Sequence, residues 1–190
     1  MKIVLYGGAF DPPHIGHMEI AAAAYEKVCP DKLIWIPSKN PPHRKIEGES
    51  AENRLKMLRK WAEDKPEYGV SDAELEKEHS GYTVETVRKY KNNNPRAKLF
   101  ILIGTDEAED FKSWKDYKKI ISMSTPVIGR RKKRGSLPSV LKENAVCLEN
   151  GILDVSSSEL RKLLYSGKGI SGYVDRVIEE YIKAHNLYKK

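Results

Sequence analysis

The sequence predicts an α/β fold built on a doubly wound, mainly parallel sheet with a helical segment at its C-terminal side. Three observations carry that expectation. Short apolar runs alternate with stretches of helical periodicity, the order that builds a parallel sheet covered by helices. The run Leu99-Phe100-Ile101-Leu102-Ile103 is apolar, as a central strand buried on both faces requires. The first run, Ile3-Val4-Leu5-Tyr6, passes through a glycine-rich junction into Ile20-Ala21-Ala22-Ala23-Ala24-Tyr25, an order that reads strand, turn, helix.

The elements follow in chain order. Residues 3–6 are expected as the first strand, with Gly7 and Gly8 in the turn. Residues 33–36, Leu33-Ile34-Trp35-Ile36, form the second, ended by Pro37, which cannot donate to a strand ladder. Residues 51–62 carry Leu55, Leu58 and Trp61 at helical spacing. Gly69-Val70-Ser71 is a short strand. Residues 82–90 repeat Val84, Val87 and Tyr90 on one helix face. Residues 99–103 are the central strand, closed by Gly104. Pro126-Val127-Ile128-Gly129 and Val146-Cys147-Leu148 are further strands, with Cys147 expected in a buried one. Ser156 caps a helix over residues 157–165. Gly167 and Gly169 interrupt, and a last helix carries Val174, Val177, Ile178, Tyr181 and Ile182 on one face. Trp35 and Trp61 read as core residues. There is no internal repeat and no low-complexity linker, so residues 1–190 are expected to form one Rossmann-like domain whose helical part begins near 156. Ligands of such folds sit beyond the carboxyl ends of the strands, near the switch in strand order. The first junction and Gly104 both fall on that edge.

Composition narrows the class. The 190 residues are 39% hydrophobic and 32% charged, an ordinary globular balance. Lys+Arg 34 against Asp+Glu 27 leaves +7, which suits anionic partners such as nucleotides or nucleic acid, or serves general solubility. Met1-Lys2-Ile3-Val4 is too short an apolar start for a signal peptide, and no run approaches a membrane-spanning length. Cys29 and Cys147 match no metal spacing and are expected as free thiols, which fits a cytoplasmic location.

The chemistry concentrates in Gly7-Gly8-Ala9-Phe10-Asp11-Pro12-Pro13-His14-Ile15-Gly16-His17. Glycines let a backbone approach a ligand closely. A helix N-terminus offers unpaired N–H groups and a positive dipole end. His14 and His17, three apart, share a face of the first helical turn and can donate to phosphate oxygens; the alternative is that they cap the helix or fill the core. No Gly-x-Gly-x-x-Gly follows the first strand and no Gly-Lys-Ser/Thr is present, which leaves dinucleotide-fingerprint and Walker-type sites unsupported. The basic run Arg130-Arg131-Lys132-Lys133-Arg134 is a solvated loop or an anion-attracting one.

This junction resembles the signature of nucleotidyltransferases that carry His/Thr-x-Gly-His, and within them it is similar to that of bacterial nicotinate mononucleotide adenylyltransferases. The resemblance covers nearly the whole chain. Residues 37–44, Pro37-Ser38-Lys39-Asn40-Pro41-Pro42-His43-Arg44, look like that family's substrate loop. Tyr82-Thr83-Val84-Glu85-Thr86 is similar to its Tyr-Thr-x-x-Thr segment. Residues 100–106, ending Gly104-Thr105-Asp106 and followed by Trp114, resemble its Gly-x-Asp strand end and aromatic substrate residue. Val155-Ser156-Ser157-Ser158-Glu159-Leu160-Arg161 is similar to its Ile-Ser-Ser-Thr-x-Ile-Arg helix start. Val177, Tyr181, Leu187 and Tyr188 fit its closing pattern. Three departures stand out: Ser158 where Thr is frequent, Glu159 beside the expected phosphate site, and Lys115 where an aromatic is frequent.

The resemblance implies transfer of the adenylyl group of ATP to nicotinate mononucleotide, with release of pyrophosphate. His17 would donate near the α-phosphate and His14 on the β side. Arg161, with Ser156, Ser157 and Ser158 at a helix start, would hold the outer phosphates; a surface salt bridge is the alternative for Arg161. Gly7, Gly8, Ala9, Phe10, Gly16 and Gly104 would line the ATP site with backbone. Asp106 would accept ribose hydroxyls or cap a helix. The mononucleotide would meet Lys39, His43, Arg44, Tyr82, Thr83 and Trp114, with the pyridine stacked on Trp114 unless that residue is core. N–H groups near Thr83 and Trp114 would select a carboxylate, which only accepts. Mg2+ is expected on the ATP oxygens. Neither nucleic acid nor membrane is expected as a partner, and an oligomer is left open. The alternatives are an adenylyltransferase for nicotinamide mononucleotide or another phosphorylated acceptor and, outside enzymes, a basic nucleic-acid-binding module. An aminoacyl-tRNA synthetase shares the His-Ile-Gly-His element, but the chain is too short and lacks a Lys-Met-Ser-Lys-Ser partner.

Overall fold

Apolar alternation along each strand decides which side of the sheet its residues cover. In the computed structural model, which describes residues 1–39, 46–129, 137–148 and 155–189, the strands are β1 (Lys2–Gly8), β2 (Lys32–Pro37), β3 (Tyr68–Val70), β4 (Lys98–Gly104), β5 (Ser124–Gly129) and β6 (Val146–Cys147). They form one sheet in the order β3-β2-β1-β4-β5-β6, every neighbouring pair parallel. The helices are α1 (Ile15–Val28), α2 (Ala51–Ala62), α3 (Thr83–Asn93), α4 (Thr105–Glu109), α5 (Tyr117–Met123), α6 (Ser139–Asn144), α7 (Ser157–Tyr165) and α8 (Arg176–Ala184), with a 3-10 turn, η1, at Phe111–Ser113. The expected α/β, Rossmann-like, doubly wound architecture is the one observed. His43, Arg44 and the basic run 130–134 lie outside the described residues.

Two apolar layers result from the period-two alternation of strand side chains. Val4 and Tyr6 of β1, Leu102 of β4 and Val127 of β5 face a layer with Ile20, Leu58, Leu160 and Ile178. Ile3 and Leu5, with Leu99, Ile101 and Ile103, face the other, with Val84, Val87, Phe111 and Ile120. The central strands are therefore covered on both sides, as the apolar run of β4 required. Trp35 and Trp61 are both buried in the first layer, their rings 5.2 Å apart.

Several boundaries differ from expectation. Gly7 and Gly8 continue β1 rather than turning; the left-handed residue of the junction is Phe10, with φ 50°. The third strand is Tyr68–Val70, one residue earlier than expected at each end, and Ser71 still donates its N–H to Trp35 O of β2 at 2.9 Å. Cys147 is half-buried rather than buried, since β6 is a two-residue strand at the sheet edge. Val174 precedes α8 rather than belonging to it: Asp175 caps that helix by accepting from Val177 N at 2.8 Å. The same carboxylate accepts from Trp61 Nε1 at 3.2 Å and so ties α8 to α2. Cys29 and Cys147 are free thiols.

Candidate active site

The strand order reverses between β1 and β4, and a crevice for ligands opens at the carboxyl ends flanking such a reversal. Registers place those ends side by side. Gly8 pairs with Pro37 of β2, and Gly104 pairs with Gly129 of β5. Tyr6 pairs with Leu102, so Gly8 and Gly104, two residues further along their strands, end level.

The junction from Gly8 to His17 is shaped by Phe10. Its left-handed backbone turns the ring inward, where it packs edge-on against Tyr6 at 5.1 Å, Trp35 at 5.0 Å and His17 at 5.1 Å. Position 8 must be glycine: a Cβ there would lie 2.9 Å from the Phe10 ring, whereas one at Gly7 would meet nothing within 4 Å. Phe10 thus acts through its buried ring, which the sequence reading assigned to backbone lining alone. Ala9 O accepts from Arg54 Nη1.

His14 is the N-cap of α1, with extended backbone, and is buried. Its N–H donates to Nδ1 of His17 at 3.2 Å, and the two rings stack with centroids 3.6 Å apart. The pair therefore shares a face, as its spacing required, and also caps α1, the alternative role. Because Nδ1 of His17 accepts, its neutral ring carries the proton on Nε2, which makes that atom a donor. Gly16, inside the first turn of α1, is buried beside them.

Helix α7 reaches the same junction. Arg161 is 8% exposed, which sets aside a surface salt bridge. Its Nη1 donates to the main-chain oxygen of Asp11 at 2.9 Å, and its Nη2 to Ser158 Oγ at 3.3 Å. The three serine hydroxyls are not arrayed as one anion cradle. Ser156 Oγ accepts from Glu159 N at 3.2 Å and donates to Glu159 Oε2 at 2.8 Å, so Glu159 folds back onto the cap. Ser157 Oγ donates to Pro12 O at 3.0 Å and pins α7 to the junction. What α7 keeps for an anion is its N-terminal main-chain N–H groups and the Arg161 charge.

Asp106 is exposed at the second position of α4, whose N-cap is Gly104; the expected cap role is thus taken by Gly104. Thr105 Oγ1 donates to Gly129 O at 3.0 Å and sets the angle of that turn.

On the far side of β4, Tyr82 is the N-cap of α3, so Thr83 begins that helix. Trp114 is half-buried, unlike Trp35 and Trp61, with its ring 5.2 Å from Phe111. Lys115 Nζ stands 4.3 Å over the Tyr82 ring, which brings the Tyr82 and Trp114 segments together. The N–H of Trp114 is engaged with Phe111 O at 3.1 Å, which removes it as a carboxylate donor; the first N–H groups of α3 have no intrahelical acceptor. Lys39 is turned to Leu75 O at 3.3 Å, at the edge of a cavity of about 460 Å³ that Gly48, Ser50 and Arg54 also line.

Two buried polar clusters, one of Asp11 with Arg54 and one around Glu74, were not singled out from sequence. Asp11, inside the signature, accepts from Gly48 N at 3.0 Å, Glu49 N at 2.9 Å and Tyr188 Oη at 2.8 Å. Burial lowers the Arg54 pKa, while the nearby Asp11 charge opposes that shift. Glu74 is buried against Thr86, whose hydroxyl donates to it at 2.8 Å, and His79 Nε2 lies 3.1 Å from that hydroxyl. Gly81 N donates to His79 Nδ1 at 3.0 Å, so in the neutral ring Nε2–H is the donor to Thr86. Burial pushes the Glu74 carboxyl above its ordinary pKa.

Comparison with known proteins bears on the family and the fold. Residues 5–163 match the cytidylyltransferase-like family model. A protein of Exiguobacterium sibiricum named "Probable nicotinate-nucleotide adenylyltransferase" is 34% identical over 99% of this chain and 99% of its own. One of the same name from Thermus thermophilus is 34% identical over the full length of both. The chain belongs to the nicotinate-nucleotide adenylyltransferase family. It is a nucleotidyltransferase. A third relative of that name, from Borreliella burgdorferi, is 35% identical over 100% of this chain and 98% of its own. The fold is shared with a Plasmodium falciparum nicotinic acid mononucleotide adenylyltransferase complexed with NaAD, at TM-score 0.79 and 20% identity, covering 98% of this chain and 97% of that one. Among the described residues, no helix is long and apolar enough to cross a membrane.

Proposed function

We propose that this enzyme transfers the adenylyl group of ATP to nicotinate mononucleotide. A phosphate oxygen of the mononucleotide bonds to the α-phosphorus, the bond from that phosphorus to the β-phosphate bridge breaks, and pyrophosphate leaves with the electron pair. Nicotinate adenine dinucleotide is the other product. The observation that carries this reading is the convergence of His14, His17 and Arg161 on one strand–helix junction at the reversal of strand order.

The attacking phosphate is already ionised at neutral pH, so no side chain has to remove a proton. Catalysis then rests on bringing two anions together and stabilising charge on the α-phosphate and the departing pyrophosphate. In this reading His17 donates from Nε2 to the α-phosphate region and His14 serves the β side. Arg161, with the N-terminus of α7, holds the outer phosphates. Gly7, Gly8 and Gly104 leave the strand ends open to the nucleotide, and Asp106 accepts from the ribose. Mg2+, when bound, would ride on the ATP phosphate oxygens and offset their charge.

The mononucleotide lies against Trp114 and Tyr82. The first N–H groups of α3 at Thr83 and the ammonium of Lys115 face its carboxylate with donors and positive charge, which favours the acid over the amide. Lys39, His43 and Arg44 serve its phosphate. The test follows label from ATP. With radiolabel on the α-phosphate, the label should pass to a dinucleotide only when nicotinate mononucleotide is present. Label released as AMP, or retained in ATP, would refute the transfer.

A further inference from the structure

Asp11 is 1% exposed, yet its carboxylate stops short of a hydrogen bond with the cation beside it: Arg161 Nη1 stands 3.6 Å from Oδ2. The reason is competition. Oδ1 takes the Tyr188 hydroxyl at 2.8 Å and Glu49 N at 2.9 Å, and Oδ2 takes Gly48 N at 3.0 Å. These donors disperse the carboxylate charge, and the guanidinium settles on the main-chain oxygen of Asp11 instead. Three of the ties come from outside the junction, and the Tyr188 hydroxyl comes from 177 residues away.

The segment after α8 is built to deliver that hydroxyl. Tyr188 adopts a left-handed backbone, φ 57°, uncommon for a residue with a bulky side chain. It is held there by its N–H on Glu49 Oε1 at 2.8 Å, while Glu49 Oε2 accepts from Asn53 Nδ2 at 2.8 Å. Its ring is buried in the first apolar layer, so the hydroxyl has no access to water as a substitute partner.

We propose that Tyr188 is a positioning residue for ATP: by occupying Asp11, it keeps the Arg161 guanidinium from closing onto that carboxylate and leaves it available to the triphosphate. The inference rests on the adenylyl-transfer reading above for the identity of the anion. Without the hydroxyl, Oδ1 of Asp11 keeps only the Glu49 N–H, and less of the carboxylate charge is neutralised on the side away from Arg161. Arg54, the other guanidinium near Asp11, is already engaged by the main-chain oxygens of Ala9, Ser38 and Glu49, so Arg161, 3.6 Å from Oδ2, is the cation drawn onto the carboxylate. The charge that served the phosphates is then spent inside the protein. The mononucleotide, bound at Trp114 and Tyr82, does not share in that loss.

The experiment compares wild type with Tyr188→Phe. The ATP KM should rise about tenfold, as for loss of a hydrogen bond to a charged group, while the mononucleotide KM stays within about twofold. In an Arg161→Lys background, Tyr188→Phe should add little further to the ATP KM, because the two act through one guanidinium. Equal changes in both KM values, an unchanged ATP KM, or full additivity with Arg161→Lys would overturn the assignment. Calorimetry with inorganic pyrophosphate separates this inference from the reaction itself. If wild type binds pyrophosphate but transfers no adenylyl group, the reaction assignment fails, while weaker pyrophosphate binding by Tyr188→Phe still supports the positioning role of Tyr188. Should Tyr188→Phe not fold, 3-fluorotyrosine at 188 keeps the shape with a stronger donor. Pyrophosphate affinity tighter than wild type supports the proposal, and equal or weaker affinity overturns it.

Discussion

The main-chain N–H of His14 donates to Nδ1 of His17 at 3.2 Å, and that single bond decides which nitrogen of His17 carries a proton. In the proposed reaction, the cap on α1 and the donor to phosphate are thereby the same arrangement. The bond that satisfies an N-terminal main-chain group also orients the Nε2–H.

Replacing His17 tests that coupling. His17→Ala should cost roughly 3 kcal/mol of transition-state stabilisation, the scale for deleting one oxyanion donor. Gln reaches with its amide nitrogen to the position of Nε2, and Asn to that of Nδ1. His17→Gln should therefore retain more turnover than His17→Asn. Rates in the reverse order would show that Nδ1 faces the substrate.

Trp114→Ala should raise the mononucleotide KM far more than the ATP KM, since the ring stands on the Tyr82 side of β4 and not at the histidine junction. Equal effects on both substrates would count against stacking. Lys115→Met removes the cation over Tyr82 and should narrow the preference for the acid over the amide mononucleotide. An unaltered ratio of kcat/KM values would leave that selection to main-chain donors.

Glu74 gives the fold a pH dependence of known sign. Burial raises its pKa above the ordinary carboxylate value, with the Thr86 hydroxyl, the His79 charge and Ser38 opposing in part. The native chain therefore holds this proton more tightly than the unfolded chain does. Below about pH 4 both states are protonated and the difference vanishes. As pH rises through the raised native value, the folded state must carry a buried charge, and stability is lost. Glu74→Gln keeps an acceptor for Thr86 without the charge. It should melt above wild type at neutral pH, with the gap closing in acid. A gap independent of pH would disprove the assignment.

Gly48 carries the Asp11 carboxylate on its main-chain N–H with no room to spare. A Cβ at position 48 would sit 2.3 Å from both carboxylate oxygens. Those oxygens are held by three hydrogen bonds and cannot retreat. Gly48→Ala should lower stability by about 1–3 kcal/mol, the scale of overpacking a tight site. Denaturant titration at unchanged m-value checks it.

Much of the architecture was legible in the sequence because periodicity reports burial. The helix expected over residues 51–62 is α2 as observed, and Ser156 caps α7 over residues 157–165 as expected. The apolar run of β4 announced a strand covered on both faces. What periodicity does not report is which donor meets which acceptor. The Asp11 partners lie 37, 38 and 177 residues away, and no local pattern links them. Three adjacent serines read as one anion cradle, but the fold sends one hydroxyl to the cap, one to Pro12 and one to Arg161. The turn was expected at Gly7 and Gly8, whereas both continue β1 and Phe10 turns the chain with a left-handed backbone that buries its ring.

The most direct test of the account is pyrophosphate release from MgATP, measured side by side with nicotinate mononucleotide and with its amide counterpart. The account predicts release that depends on the acceptor, is fastest with the acid form, and falls by about two to three orders of magnitude in His17→Ala. Release at the same rate without any mononucleotide, or undiminished in that variant, would contradict it.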